Sequence, residues 1–371
     1  MVSFLTMPAR HIAILGAGIS GITTAIVLQE SGFSTTVYSH LRADRDMDRN
    51  HHPDFSSLFP AASIIPHTVE AGDLVGLFET SQNVFSRLSR LPLTGVRWQD
   101  HYELETENTG AMPSYAHVLH GCVPYGTKKE HLPFSQIIGR EVFGWVARIL
   151  FAEMPLYLAY LFRRYALSGG KIVDRQFLPD DFRQSQESCF VNCTGLWART
   201  LFNDPNVHPI RGRLMFVHGA PFPPGRDESV FSYNYKPPDS EYPYDVYFFP
   251  RSGDHDGRGK GWLLGGSREV GVIDGNGEPT FPSIDAEMKD GVPAPIETLN
   301  RNILHGITGT DIGMFERTGY TGMRPGRSSG IRLEATVEEG KPVIPNYGHG
   351  GAGVALSWGC ALKVRQLVMA L

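Results

Sequence analysis

Cysteine is scarce. The 371 residues contain 4 (Cys122, Cys189, Cys193 and Cys360), none in CxxC spacing, which excludes a disulfide-stapled fold or a zinc ribbon and points to buried thiols in a reducing setting. A basic surplus is missing too: 34 Lys and Arg stand against 39 Asp and Glu, for a net charge of -5, so the electrostatic footprint of a nucleic-acid binder is absent. No apolar run reaches the roughly 18 to 20 residues that span a bilayer. The most apolar long stretch, 142–165, is interrupted by Arg148, Glu153 and Pro155 and reads as an amphipathic helix with the proline at a bend or start. Residues 1–10 lack the apolar block of a secretory signal, and the final Val-Met-Ala-Leu is no peroxisomal address; a cytoplasmic protein without membrane or nucleic-acid partners is expected. The length exceeds what one hydrophobic core serves, so two closely joined domains are expected.

Glycine, by contrast, is plentiful, with 41 residues, and several fall at informative places. Residues 11–15 (HIAIL) form a short apolar run that fits a buried parallel strand. Gly16-Ala17-Gly18-Ile19-Ser20-Gly21 follows at once, then an amphipathic helix to about Ser31, then a second strand at 35–38 (TTVY). Strand, glycine turn, helix, strand is the order of a dinucleotide site. Gly16 permits the turn, Gly18 lets the backbone approach a pyrophosphate, and Gly21 lets the helix pack on the strand, while the helix start offers N–H groups and partial positive charge. The acid expected for the ribose hydroxyls is missing where Ser39-His40-Leu41-Arg42 stands; Asp44 and Asp46 lie a little beyond. This motif alone leaves NAD and FAD both open.

Three later segments decide between them. Residues 190–194 (FVNCT) form another apolar strand ending in Thr194-Gly195-Leu196-Trp197-Ala198, and Pro209-Ile210-Arg211-Gly212-Arg213 follows. Near the end, Asn346-Tyr347-Gly348-His349-Gly350-Gly351-Ala352-Gly353 leads into Ser357-Trp358-Gly359-Cys360-Ala361, a second glycine turn opening a helix. In these segments the chain resembles the D-amino-acid oxidase and D-aspartate oxidase family. The resemblance covers roughly 10–38 and 188–371, with thinner support between, where 141–164 resembles a helix of the family. It implies an α/β fold, with a Rossmann-like FAD-binding domain assembled from 1–40, 141–210 and 320–371 and a mixed-sheet substrate-binding domain from 41–140 and 211–319. It implies FAD held by Gly16, Ala17, Gly18, Ile19, Ser20, Gly21, Ala61, Ala62, Ser63, Thr194, Gly195, Gly348, Gly350, Gly351, Ala352 and Gly353. Backbone donors at the second glycine turn, Gly351 among them, would stabilise negative charge on the reduced flavin.

The resemblance also supplies a substrate site. Gly322-Met323-Arg324-Pro325-Gly326-Arg327 matches the family's segment with the carboxylate-binding arginine, which places Arg324 there; a planar guanidinium fork meets a carboxylate through two parallel hydrogen bonds. Residues 245–251 resemble the strand that carries the family's carboxylate-binding phenol, here Tyr247. The segment 231–236 (FSYNYK) offers Tyr233 or Tyr235 as a lid tyrosine, with simple packing as the alternative. Gly265-Gly266-Ser267-Arg268 resembles a strand of D-aspartate oxidases, so Arg268 implies an acidic substrate, or else is a solvated charge at a strand end.

One departure stands out. The family's loop beside the flavin carries a glycine and a tryptophan, whereas Pro60-Ala61-Ala62-Ser63-Ile64-Ile65-Pro66-His67 keeps the alanine pair, replaces the glycine by Ser63 and has no tryptophan. His51-His52 reads as part of an exposed loop, and no metal is expected, because adjacent histidines on an extended segment point apart. By resemblance the reaction is hydride transfer from the α-carbon of a D-amino acid to the flavin, with molecular oxygen as second substrate and peroxide as product. Two alternatives stay open: a tailoring oxidase of an amine or amino-acid-derived intermediate, and a flavin-binding homologue without turnover. The sequence leaves homo-oligomerisation open.

Overall fold

The computed structural model describes residues 11–42, 51–59, 61–67, 69, 71–222, 230–253, 259–284 and 286–371. Ile12, Ala13, Ile14 and Leu15 are all buried, as they must be in a strand covered on both faces. Their strand, His11–Ala17, lies centrally in a seven-stranded sheet. Ser34–Arg42 and then Lys171–Val173 extend the sheet in parallel on one side; Phe190–Asn192 and then Lys341–Tyr347 do so on the other. The chain thus leaves the central strand towards one edge and returns much later on the other. The end of that strand, at Gly16, is a topological switch point, where open α/β sheets bind ligands.

The helix Ile19–Glu30 forms where expected but is not amphipathic. Gly21 through Leu28 are all buried, because the helix is covered by Gly353–Ala370 and Met154–Leu167 as well as by the sheet. A helix buried all round needs no polar face.

The second layer is a ten-stranded mixed sheet. Val207–His218, Gly261–Gly265, Val246–Arg251, Phe231–Lys236, Val96–Glu105 and Phe143–Glu153 run side by side, and Arg317–Arg327 pairs along the whole length of Val207–His218. Helix Ala294–Thr308 covers one face, packing Ile296, Ile303 and Leu304 around Tyr233, Phe248 and Trp262.

The stretch 142–165 departs from its expected helix. Phe143–Glu153 is a strand between Val96–Glu105 and Ala61–Ser63, and only then does the helix Met154–Leu167 begin, with Pro155 in its first turn. A strand buried on both faces carries a continuous apolar run that periodicity cannot tell from a helix, and the proline marks the changeover because its missing N–H is harmless at a helix start. The same strand, together with 317–327, belongs to the ten-stranded sheet, so the segments 141–210 and 320–371 are divided between the two layers rather than confined to the dinucleotide layer. None of the 4 cysteines forms a disulfide. Among the described residues no helix is long and apolar enough to cross a membrane.

Candidate active site

Two glycines set the nucleotide end. Gly16 has φ 98°, and a Cβ there would lie 2.6 Å from the Cys193 carbonyl oxygen. A Cβ on Gly21 would lie 1.9 Å from the Gly16 carbonyl oxygen, so this position permits the close helix–strand contact rather than touching a ligand. Gly16, Ala17, Gly18, Ile19 and Ser20 line a cleft of about 320 Å³, joined there by Thr194, Gly195, Gly350 and Gly353. The helix start and its dipole therefore border the cleft. Ser57, which the sequence did not single out, accepts a hydrogen bond from the Ile19 amide at 2.9 Å and ties the loop 51–59 to this end.

The cleft continues into a second cavity of about 190 Å³, and Ile19, Ser56, Ser57, Gly350 and Gly353 border both. A ligand long enough to reach from one into the other suits the pair. Two buried atoms support such an occupant: Asn346 Oδ1 and His349 Nε2 belong to residues lining the cleft and have no hydrogen-bond partner among the described residues. Burial lowers the His349 pKa to about 4, which leaves the ring neutral. Ala62, Ser63 and Gly351 line the second cavity. Of the other residues expected at the cofactor, Ala61 shares the short strand with Ala62 and Ser63, Ala352 is buried inside the second glycine turn, and Gly348 borders a separate hollow beside Arg327 and Gly330. Asp44 and Asp46 lie outside the described residues.

The second cavity is assembled by strand register. Glu103 pairs with Asn234, Asn234 with Tyr247, Tyr247 with Gly265, and Gly265 with Leu214, which sets these positions in one row on one face of the sheet. Two glycines in this sheet seat the long side chains. A Cβ on Gly265 would lie 2.0 Å from Tyr247 Cζ, and one on Gly212 would lie 2.6 Å from Arg324 Nη1. The Arg324 guanidinium donates to the Ser267 carbonyl oxygen at 3.3 Å and lines the same cavity as Tyr247. Burial raises the Tyr247 pKa, with Arg324 opposing, so the phenol stays protonated and able to donate.

Arg268 also lines this cavity and is no solvated strand end: its Nη2 donates to Asp245 Oδ2 at 2.9 Å. Tyr233 is placed elsewhere. It is fully buried on the opposite sheet face, with its hydroxyl donating to Asn300 Oδ1 at 2.7 Å in the core under helix Ala294–Thr308. Tyr235 shares that core, so neither tyrosine is a lid. The neighbour between them, Asn234, is the one that reaches the cavity, with Ile65 and His67 from the altered loop. Apolar walls come from Met154, Leu214, Phe249 and Leu263.

Comparison with known proteins agrees with this arrangement. Residues 149–367 match the model of a family described as FAD dependent oxidoreductase. A D-amino-acid oxidase of Rubrobacter xylanophilus is 32% identical over 359 residues, covering 95% of this chain and 94% of that protein. A D-aspartate oxidase of Homo sapiens is 29% identical over 378 residues, covering 98% of this chain and 95% of that protein. Among solved structures, iminodiacetate oxidase from Chelativorans sp. BNC1 superposes with a TM-score of 0.63 at 16% identity over 97% of this chain and 95% of its own, a likeness of fold. Dinucleotide cleft, adjoining cavity and end-to-end similarity together place the chain in the D-amino-acid oxidase family, as an FAD-dependent oxidoreductase of the class acting on CH–NH2 groups.

Proposed function

We propose that the protein oxidises D-amino acids, with the substrate carboxylate held by Arg324 and Tyr247 and the side chain directed towards Arg268. The observation that carries this reading is the seating of Arg324 over Gly212 and of Tyr247 over Gly265, at the walls of a cavity continuous with the dinucleotide cleft. FAD would be held along Gly16–Ser20, Thr194, Gly195 and the turn at Gly350, and would supply the acceptor for a hydride from the α-carbon. The chain supplies position. The guanidinium fork and the phenol fix the carboxylate, while Met154, Leu214, Phe249 and Leu263 exclude water and favour the uncharged amine. No base at the α-carbon is required once the amine is neutral. Molecular oxygen as the electron acceptor and a cytoplasmic setting belong to the same proposal.

Arg268 supports an acidic side chain such as that of D-aspartate: one nitrogen is held by Asp245, and a guanidinium has further donors. Anaerobic addition of D-aspartate, D-alanine and other D-amino acids to the purified flavoprotein tests this. Bleaching of the flavin by D-aspartate in preference to the rest, lost in Arg268→Met, is expected. Bleaching by neutral D-amino acids alone would confine Arg268 to pairing with Asp245. Flavin left oxidised by all of them would move the assignment to an amine or amino-acid-derived intermediate, and an absence of flavin bands would remove the cofactor reading itself.

A further inference from the structure

Beside the substrate cavity, three side chains that the oxidation does not use converge on one point. Glu103 Oε2 lies 3.2 Å from His101 Nε2 and 3.5 Å from His67 Nε2, and the three atoms all lie within 4.8 Å of one another. His101 and Glu103 stand two apart on the strand Val96–Glu105 and so share a face, while His67 arrives from the altered loop.

The hydrogen bonds behind them decide what they present. Ser232 Oγ receives the Gln99 amide at 2.7 Å and gives its own proton to the Asp100 carbonyl oxygen at 3.4 Å. His101 Nδ1 meets Ser232 Oγ at 2.9 Å and its Nε2 meets Glu103 Oε2 at 3.2 Å, so the ring is held with Nε2 turned to the carboxylate. His67 Nε2 is buried with no hydrogen-bond partner among the described residues. Of the three atoms, His67 Nε2 is the one left without a hydrogen-bond partner among the described residues, and a cation between the three would engage it.

We propose that His67, His101 and Glu103 form a binding site for a zinc-class divalent cation at the edge of the substrate cavity. Ligands about 2.0–2.1 Å from a tetrahedral zinc stand about 3.3 Å apart, and the spacings of 3.2 and 3.5 Å fall on either side of that edge. The supporting shell is present: Ser232 orients His101, and Asn234 Nδ2 donates to Glu103 Oε2 at 3.0 Å. The nearby positive charge of Arg268 is offset by Asp245. Two histidines and one carboxylate leave a fourth position for water or a substrate donor, and both His67 and Asn234 line the cavity.

The test titrates chelator-treated, dialysed holoenzyme with Zn2+ by calorimetry, and with Co2+ for its absorption to the red of the flavin bands. One equivalent per chain is expected in the wild type. Glu103→Gln and His67→Asn, each confirmed to retain flavin by its visible spectrum, should abolish binding, and Ser232→Ala should weaken it about 10- to 100-fold. Replacing His51 and His52 together by alanine should leave it unchanged. Failure of the wild type to bind either ion stoichiometrically, or binding that survives both ligand substitutions, overturns the site.

Discussion

Replacing Arg324 by alanine separates a carboxylate clamp from a structural arginine. In the fold the guanidinium makes a long bond, 3.3 Å to the Ser267 carbonyl oxygen, rests over Gly212 and hydrogen-bonds the Tyr247 phenol, so its removal should cost about 1–2 kcal/mol of stability. Towards a carboxylate it would contribute two charge-assisted hydrogen bonds, each about 1.5–3 kcal/mol, hence about 3–6 kcal/mol in all. That corresponds to a fall of roughly 10²- to 10⁴-fold in the apparent second-order rate constant for flavin reduction. Arg324→Lys keeps the charge but not the fork and should recover about half of the lost free energy. Stopped-flow reduction under anaerobic conditions measures this, with the melting temperature as a control. Comparing a D-amino acid with the amine that lacks its carboxylate sharpens the result, since only the acid should lose rate. A fall below tenfold, or an equal fall for both compounds, would refute the clamp.

Two other consequences follow from the same geometry. Gly21→Ala sets a methyl group 1.9 Å from the Gly16 carbonyl oxygen, so the helix must move off the strand; loss of flavin together with a lower melting temperature is expected, and a variant that retains full flavin at wild-type stability would contradict the packing role. His349 is buried and its folded-state pKa is lowered from 6.5 to about 4. As pH falls from about 6.5 towards 4 the unfolded chain takes up a proton that the folded one refuses, so stability declines through this window by about 3 kcal/mol. His349→Asn should flatten this acid limb in melting temperature against pH, and an unchanged limb would show that the ring does not set it.

The dinucleotide half was legible because its requirements are local. A turn at positive φ, a close helix–strand contact and a phosphate-sized gap all fall within the six residues from Gly16 to Gly21, so their spacing is preserved in the chain. At the second cavity only resemblance pointed to lining residues such as Arg324 and Tyr247. Asn234, His67, Ser57 and Glu103 carried no signal, since they come together through strand register and through loops distant in sequence. The tyrosines of 231–236 misled for a related reason. Side chains alternate along a strand, so once Asn234 faces the cavity, Tyr233 and Tyr235 must face helix Ala294–Thr308. The helix expected over 142–165 fails only in its first part, where 143–153 is a strand with apolar side chains on both faces and loses the alternation that would have revealed it.

The strand Arg317–Arg327 is a ruler as well as a wall. It carries Arg324 at the cavity and, three residues on, Arg327, which holds Asp204 at 2.9 Å while Tyr347 of the dinucleotide sheet holds the same carboxylate at 2.8 Å. Only three residues of strand, about 10 Å, thus separate Arg324 from the ion pair that ties this strand to the dinucleotide sheet. If the ten-stranded sheet shifts, its anchor cannot drift far from the cofactor layer. Asn234 and Arg268, which also line the cavity, stand on other segments of the chain, 231–236 and the turn after 261–265. Changes on those segments can therefore reshape the cavity while the spacing of Arg324 from the dinucleotide layer is inherited unchanged.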